Sequence, residues 1–236
     1  MNHVLLFEQD FCSSDCVVLN DYRFTHIQRQ LKAAVGNTVK VGLLNGLCGN
    51  ATVTDINASE ISLNVNLNSQ PPAPSPLKLI LALPRPKVFR RVLRSAVEHG
   101  IKEIHLINSW RVEKSYWQSP LLQAHALNEA IYEGLSIAKD TLVPTIHQHK
   151  LFKPFVEDEL SQLVNGNSAY IAHPSDIPCP SDCTQSTWLA IGPEGGFNDF
   201  EVGLLNAEGF ISVSLGARIL RVENAVSTAL GRMNPL

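Results

Sequence analysis

Apolar and polar residues alternate along three short segments in the first third of the chain. A repeat of two residues is typical of strands that bury one face. The segments are VKVGLL (39–44), NATVTDI (50–56) and ISLNVNL (61–67). The pairs Asn45-Gly46 and Gly49-Asn50 favour turns. We therefore predict a small antiparallel sheet or barrel, with a short helix over residues 25–34 set against it.

Four prolines fall within the eight residues of SQPPAPSP, 69–76. Proline cannot continue a helix or a central strand, and a proline-rich stretch acts as a semi-rigid spacer. The stretch predicts a domain boundary. We expect one domain over residues 1–70, a linker over 71–76 and a second domain over 77–236.

Beyond the linker, short apolar runs alternate with segments of helical period. LKLILAL (77–83) is almost continuously apolar, as in a strand buried on both faces. Further strands are predicted at 103–107, 169–173, 188–191 and 210–216, and helices at 87–99, 119–138, 199–208 and 223–233. Strands that alternate with helices predict an α/β fold with a parallel sheet, in which ligands lie beyond the carboxyl ends of the strands.

The composition, 44% hydrophobic and 17% charged over 236 residues, is that of a globular protein with an ample core. No apolar run approaches the roughly 20 residues that span a bilayer. The start of the chain is acidic and lacks the basic segment of a signal peptide. These features predict a cytoplasmic protein with no membrane partner.

Five cysteines, an odd number, argue against a secreted disulfide framework. Cys12 and Cys16 share a C-x3-C spacing with Cys179 and Cys183. Zinc sites prefer the tighter C-x2-C spacing with histidines at fixed offsets. We therefore expect no metal site.

Positive charge is concentrated in the middle third of the chain. Residues 77–150 hold 11 lysines and arginines against 6 acidic residues, although the whole chain has a net charge of −3. The density is highest in PRPKVFRRVLR (84–94). This segment could bind a polyanion through its phosphates or could simply be a solvated helix face, and charge alone does not decide between them.

A glycine-rich loop, GPEGGF (192–197), follows the predicted strand WLAI. Three glycines in five positions suggest that the backbone approaches something closely or adopts a positive φ. Asn198 and Glu201 have the spacing of a capping box, which predicts a helix start directly after the loop. The loop matches neither G-x-G-x-x-G nor the lysine-bearing phosphate loop. A ligand and a structural turn both remain open.

A second glycine loop lies in SLGARILRVENA (214–225), at the end of the last predicted strand. Its Arg218 and Arg221 could be ordinary surface charges, with Glu223 favouring the dipole of the following helix. They could equally face a polyanion or a developing negative charge.

Together, IGPEGGFNDFEV and VSLGARILRVENA strongly resemble the RsmE family of S-adenosylmethionine-dependent methyltransferases. The likeness covers the whole chain, since HIQRQLKAAVGNTVKVGLLNG resembles the family's PUA-like N-terminal barrel. It implies a SPOUT domain with a deep trefoil knot and an obligate homodimer in which the neighbouring subunit completes each active site. It also implies methylation of 16S ribosomal RNA, the RNA of the small ribosomal subunit, at N3 of a uridine.

The resemblance also implies which residues form the site. Contacts to S-adenosylmethionine fall on Ile191, Gly192, Gly195, Gly196, Leu215, Gly216, Ile219, Leu220 and Ala225. Contacts to RNA fall on Arg85, Lys87, Arg91, Arg111 and Arg218. For catalysis, our hypothesis is that Arg221 stabilises the anion formed when uridine N3 loses its proton, while Glu194 orients the loop or assists proton removal. A purely structural role for Glu194, as an acceptor for loop amides, stays open.

Three segments depart from the family pattern. Trp110-Arg111 stands where the family usually has Glu-Arg, Ile137–Asp140 replaces a Gln-Ser-x-Arg-like run, and Asn224 replaces threonine. Two alternatives therefore stay open: a related SPOUT methyltransferase for another RNA site, and a non-catalytic RNA-binding paralogue. His147 and His149 are interpreted as ordinary loop or surface residues without a role.

Overall fold

The structure, a computed structural model, describes residues 3–234. By their internal contacts the residues form two compact units. The first comprises Met1–Ala73 and Tyr132–Val143, and the second comprises Pro74–Ile131 and Pro144–Leu236. The first unit thus includes a segment from the middle of the chain, which a linear boundary at the proline-rich stretch does not anticipate.

The first unit contains a five-stranded sheet. Its strands are β1 (Val4–Leu6), β2 (Cys16–Leu19), β3 (Thr38–Leu43), β4 (Cys48–Ile56) and β5 (Ile61–Ser69), in the order β1-β3-β4-β5-β2. All neighbours are antiparallel except β1 and β3, which are parallel. The predicted strand period is confirmed, because alternate residues such as Val41, Ile61 and Leu63 are fully buried. With β1 and β2 as edges, the described sheet is a half-barrel.

Helix α1 of this unit is displaced from its predicted position at 25–34. It runs over Tyr22–Arg29, because Asp21 caps its start by accepting a 2.8 Å hydrogen bond from the Arg23 amide. Lys32 then adopts a φ of 49°, which a helix does not tolerate.

Residues 139–143 pack onto the first unit's own strands. The Asn45 amide donates to the carbonyl of Thr141 over 2.8 Å, and the Thr141 hydroxyl donates to the carbonyl of Gly46 over 2.6 Å. The segment Ile137–Asp140, which departs from the family pattern, therefore belongs to this unit.

The second unit is built on a six-stranded parallel sheet. Its strands are β6 (Leu77–Ala82), β7 (Glu103–Ile107), β8 (Thr145–His149), β9 (Ser168–Ala172), β10 (Thr187–Ile191) and β11 (Ile211–Val213). Their order is β11-β9-β10-β6-β7-β8, and every neighbouring pair is parallel. This confirms the predicted α/β class. The central strands β6 and β10 are almost entirely buried, as their unbroken apolar sequences indicated.

The helices that follow these strands are α2 (Pro86–Glu98), α3 (Ala124–Ala138), α4 (Phe152–Pro154), α5 (Ser161–Val164), α6 (Asp199–Ala207) and α7 (Val222–Met233). A π-helical stretch, Phe155–Leu160, joins α4 to α5, and single 3₁₀ turns lie at Glu8–Asp10, Lys114–Gln118 and Pro120–Leu122. Helix α3 starts later than the predicted residue 119 because those last two turns precede it. Gly100, just beyond the end of α2, adopts a φ of 77°.

The strand order determines where the loops of interest meet. Strand β9 pairs with both β10 and β11, so the loops that follow these three strands leave the same edge of the sheet side by side. Both predicted glycine loops are among them. No helix in the described part of the chain is long and apolar enough to cross a membrane.

Candidate functional site

A cavity of about 830 Å³ opens at the carboxyl ends of β9, β10 and β11, within the second unit. Three loop segments form most of its walls: 172–176, 191–197 and 214–220. Arg111, Val222 and Ala225 complete the lining. The position agrees with the general rule that ligands of open α/β sheets bind beyond the carboxyl ends of the strands.

The cavity brings together the residues that sequence reasoning assigned to a cofactor. All nine line it: Ile191, Gly192, Gly195, Gly196, Leu215, Gly216, Ile219, Leu220 and Ala225. Glu194, Arg111 and Arg218 also line it. Arg221, Arg85, Lys87 and Arg91 are not among its lining residues.

The loop 192–197 is held tightly by its own backbone. A Cβ atom on Gly192 would lie 2.9 Å from the backbone nitrogen of Phe197 and 3.2 Å from the carbonyl carbon of Gly196. Gly196 has a φ of 71° and its amide donates to the carbonyl of Pro193 over 2.8 Å. The first position needs glycine for space, and Gly196 supplies the positive φ of the turn.

The capping box predicted after this loop is confirmed, and it also fixes a neighbouring loop. Asn198 and Glu201 exchange backbone–side-chain hydrogen bonds of 2.8 and 3.0 Å at the start of α6. The second carboxylate oxygen of Glu201 accepts a 2.7 Å bond from the amide of Trp110. Because Glu201 is only 3% exposed, one buried carboxylate ties the loop after β10 to the loop after β7.

Charged side chains reinforce the same junction. Arg111 donates from its guanidinium to the carbonyl of Gly195, and a Cβ atom on Gly195 would lie 2.8 Å from the Arg111 Cδ. The amide of Arg85 donates to Glu194 Oε1 over 3.0 Å, and its Nε donates to the Tyr116 hydroxyl over 3.3 Å. Glu194 thus accepts a hydrogen bond from a loop amide.

The opposite wall, residues 214–220, is far more open. Ile219 is 96% exposed, and residues 216–218 are exposed too. Gly216 adopts a φ of 129°, and its amide donates to the Ser214 hydroxyl over 3.2 Å. Arg221 is the exposed cap residue of α7, and its carbonyl accepts the amide of Ala225 over 2.8 Å.

One wall of the cavity was not assigned from the sequence. Residues 172–176 run out from the end of β9, which lies between β10 and β11 in the sheet. The Ser175 hydroxyl donates to the carbonyl of Ser212 over 2.8 Å and accepts the amide of Ile177 over 3.0 Å. The sequence held a signal for these residues, because they begin at the end of the predicted strand AYIAH (169–173), at the edge of the sheet where ligands bind.

Arg91 and Lys87, which were both predicted to bind RNA, differ in their contacts. Arg91 forms a 3.1 Å ion pair with Glu223 between α2 and α7, whereas Lys87 is exposed near the start of α2. Arg85, Arg111 and Arg218 are exposed as well.

The interpretation of His147 and His149 as loop or surface residues holds only in part, because His147 is exposed but neither residue lies in a loop. Both lie in strand β8, and both stack on the ring of His105 with centroid separations of 4.4 and 5.1 Å. His105 is 2% exposed, and burial lowers its pKa to about 4 against the opposing effect of its hydrogen bond to Glu103. Within residues 3–234, no group of three or more histidine, cysteine or acidic side chains is arranged to hold a metal ion.

Comparison with known proteins identifies the family. A model of the RNA methyltransferase domain matches residues 71–234. A ribosomal RNA small subunit methyltransferase E of Treponema pallidum is 31% identical over 235 residues, which cover 96% of this chain and 88% of the relative. This chain belongs to the RsmE family.

Solved structures show the same fold over the full chain. A Legionella pneumophila protein solved in complex with the cofactor SAM, which is S-adenosylmethionine, covers 98% of this chain and 95% of its own, with 21% identity and a TM-score of 0.74. A ribosomal RNA small subunit methyltransferase E from Neisseria gonorrhoeae, also bound to S-adenosylmethionine, covers 98% and 95%, with 19% identity and a TM-score of 0.69. Both match the α/β architecture described above.

Proposed function

We propose that this protein transfers a methyl group from S-adenosylmethionine to N3 of a uridine in 16S ribosomal RNA. One observation carries the proposal: the nine residues expected to contact the cofactor all line a single cavity at the carboxyl ends of β9, β10 and β11. The chain's membership of the RsmE family provides the reaction class.

The cavity suits S-adenosylmethionine in size and chemistry. Its volume of about 830 Å³ lies in the range of small-molecule sites. Aliphatic side chains from Ile191, Leu215 and Leu220 offer apolar surface to an adenine, and the glycines expose backbone polar groups. When bound, the cofactor supplies a methyl group that leaves its sulfonium sulfur for the attacking nitrogen.

The protein's own residues would align the nucleotide and stabilise its charge. Uridine N3 carries a proton at neutral pH, and removing it places negative charge on the flanking carbonyl oxygens. We assign Arg221 to that charge, because it caps α7 directly after the open cavity wall. We assign Glu194 to orientation of the glycine loop, because its carboxylate accepts the Arg85 amide.

RNA would reach the cavity across the basic face formed by Arg85, Lys87, Arg91, Arg111 and Arg218, each contributing a salt-sensitive phosphate contact. The first unit would act as a PUA-like RNA-binding domain, with residues 71–76 as the linker. Action on ribosomal RNA also implies a cytoplasmic location.

A trefoil knot and a homodimer belong to the same proposal. Residues 177–183 run beside two later parts of the chain, which supports threading of the C-terminal segment. The Cys179 amide donates to the carbonyl of Ser214 over 2.9 Å, and the Cys183 amide donates to that of Met233 over 2.7 Å.

Sedimentation of the purified protein measures the expected dimer.

Calorimetric titration with S-adenosylmethionine tests the cofactor site. We expect micromolar binding, about −8 kcal/mol, and no binding to Gly196→Trp, in which an indole occupies the loop. Absence of binding to the wild type contradicts the proposal.

The methylated nucleotide is tested with ribosomal RNA from a strain that lacks the gene. Transfer to N3 of one 16S uridine supports the proposal, and transfer to another position supports a related enzyme with a different site. Methyl transfer is also expected to fall by about 100-fold in Arg221→Ala. An Arg221→Ala protein with unchanged cofactor affinity and full turnover contradicts the role given to Arg221.

A further inference from the structure

The indole of Trp110 is the most exposed aromatic side chain beside the cavity. It is 86% exposed, although tryptophan is usually well buried on average. Its two neighbours in sequence are held by the fold. Ser109 is 3% exposed, and the Arg111 guanidinium donates to the carbonyl of Gly195. The backbone amide of Trp110 itself is fixed by the buried carboxylate of Glu201 over 2.7 Å. The fold thus holds the backbone still and leaves the large ring in solvent.

Three cationic side chains, Arg85, Arg111 and Lys114, lie in the loops around Trp110. Arg111 lines the cavity, and the loop after β7 runs beside the loop after β6, since the two strands are paired and the Arg85 Nε reaches the Tyr116 hydroxyl. Lys114 is exposed in the same loop. The acidic groups nearby are Glu113, which is exposed, and Glu194 and Glu201, whose carboxylates accept the backbone amides of Arg85 and Trp110.

We propose that Trp110 is a stacking platform for an unpaired base of the RNA substrate, next to the nucleotide that enters the cavity. An exposed aromatic ring flanked by arginines is the combination with which proteins hold single-stranded nucleic acid: the ring stacks on a base and the cations contact its phosphates. Because a base in a duplex has both faces covered, the platform selects a loop or single-stranded segment. This inference rests on the proposed function and names the RNA element that the enzyme recognises.

The chemistry of the patch favours RNA over a second copy of the chain as the occupant. A base offers a flat face without charge and brings a phosphate to the neighbouring Arg111, whereas a second copy that presented this same patch would bring Arg85, Arg111 and Lys114 towards like charges. A second copy that presents a different surface is distinguished by the oligomer measurement below. The short distance along the chain from Trp110 to the cavity-lining Arg111 places the stacked base beside the reaction site.

Fluorescence tests the stacking directly. Titrating the wild type with a short oligouridylate should quench indole emission, and the Trp110→Phe variant should lose most of this quenching. The other two tryptophans are less accessible, because Trp188 is fully buried and Trp117 donates to Asn108 over 3.0 Å. Equal quenching of wild type and Trp110→Phe overturns the proposal.

Binding and turnover separate stacking from a structural role. Trp110→Ala should bind the oligouridylate about 10-fold more weakly, and its KM for small-subunit ribosomal RNA should rise by a similar factor. Its kcat and its affinity for S-adenosylmethionine should stay within about 2-fold of wild type. Trp110→Phe should keep near-wild-type RNA affinity because its ring still stacks. Leu151→Ala, which truncates another exposed apolar side chain of the same unit, should change nothing.

Three outcomes distinguish the platform from the proposed function. If the wild type methylates RNA and Trp110→Ala retains its KM, the platform is wrong and the function stands. If the wild type binds no cofactor yet Trp110→Ala loses oligouridylate binding, the platform stands and the function is wrong. If Trp110→Ala instead dissociates an oligomer at unchanged RNA affinity, the indole belongs to a subunit contact and the platform is wrong.

Discussion

The two glycine-bearing walls of the cavity are built in opposite ways. The wall from β10 is buried at Ile191 and Gly192 and is tied by Glu201 to the loop after β7. The wall from β11 is exposed from Gly216 to Ile219. The β10 wall is held in place by contacts within the protein, whereas the β11 wall makes few such contacts. We infer that the β10 wall sets the position of a ligand and that the β11 wall gains its contacts from the ligand.

The largest effect is expected at Gly192, where a side chain tests whether the β10 wall is rigid. In Gly192→Val, the new Cβ would collide with backbone atoms of Phe197 and Gly196, which cannot move without opening the loop. We expect a loss of at least about 3 kcal/mol in the free energy of unfolding and no detectable binding of S-adenosylmethionine. Urea denaturation and calorimetry measure the two effects.

Gly203→Ala is the matched control for that variant. Gly203 lies within α6, and a Cβ atom there would have no neighbour within 4 Å. Replacing glycine by alanine inside a helix should raise the free energy of unfolding by about 0.5–1 kcal/mol. If Gly192→Val is as stable as Gly203→Ala, the β10 wall is not rigid and the comparison is wrong.

The next largest effect should come from the carboxylate that anchors the β10 wall. Glu201→Ala leaves the amides of Trp110 and Asn198 without their buried acceptor, so we expect the free energy of unfolding to fall by about 2–3 kcal/mol. Asp199→Ala removes an exposed acidic residue from the same helical turn and should cost less than about 1 kcal/mol. Thermal denaturation of both variants measures the difference, and equal costs would show that Glu201 acts only as a helix charge.

The capping box shows how far the sequence could predict this site. Asn198, Glu201 and the glycines are close together in sequence, so their spacing alone indicated a tight loop that leads into a helix. The end of the preceding strand, β10, followed from its unbroken apolar run. The bond from Glu201 to the Trp110 amide could not be predicted, because it joins residues 91 positions apart and depends on the order of the strands.

The histidine cluster shows what the pattern cannot reveal. Strand β8, TIHQH, is an edge strand with mostly exposed residues, so its sequence lacks the apolar pattern from which a strand can be predicted. Residues 132–143 join the first unit through hydrogen bonds to the β3–β4 turn, which is again a tertiary contact between distant positions.

Acidification tests whether the two walls respond to a charge change elsewhere in the sheet. Burial lowers the pKa of His105 to about 4 and also lowers that of His149, so both are neutral in the fold at pH values where the unfolded chain is protonated. Stability is therefore complete above the unfolded pKa near 6.5 and is lost as the pH falls. For His105 alone we expect a loss of about 2 kcal/mol between pH 7 and pH 5.

Denaturation at the two pH values checks this expectation, with His105→Phe as the control. Phenylalanine does not titrate, so the variant should lose much less stability on acidification. His105 lies on β7 and does not line the cavity, so at each pH the His105→Phe variant should bind the cofactor as tightly as the wild type does. A parallel fall in stability for wild type and variant would assign the pH dependence to other groups.

The smallest effect on stability is expected at Ile219, where the cofactor affinity tests directly whether the β11 wall gains contacts from the ligand. Its side chain is 96% exposed and lines the open wall, so Ile219→Ala should change the free energy of unfolding by less than about 0.5 kcal/mol. If the ligand covers this side chain, losing its methyl and methylene groups should weaken S-adenosylmethionine binding by roughly 5- to 20-fold. Leu151→Ala removes a similarly exposed side chain away from the cavity and should leave the affinity unchanged. An Ile219→Ala variant that binds as tightly as wild type would mean that the β11 wall stays open in the complex and that the other walls hold the ligand.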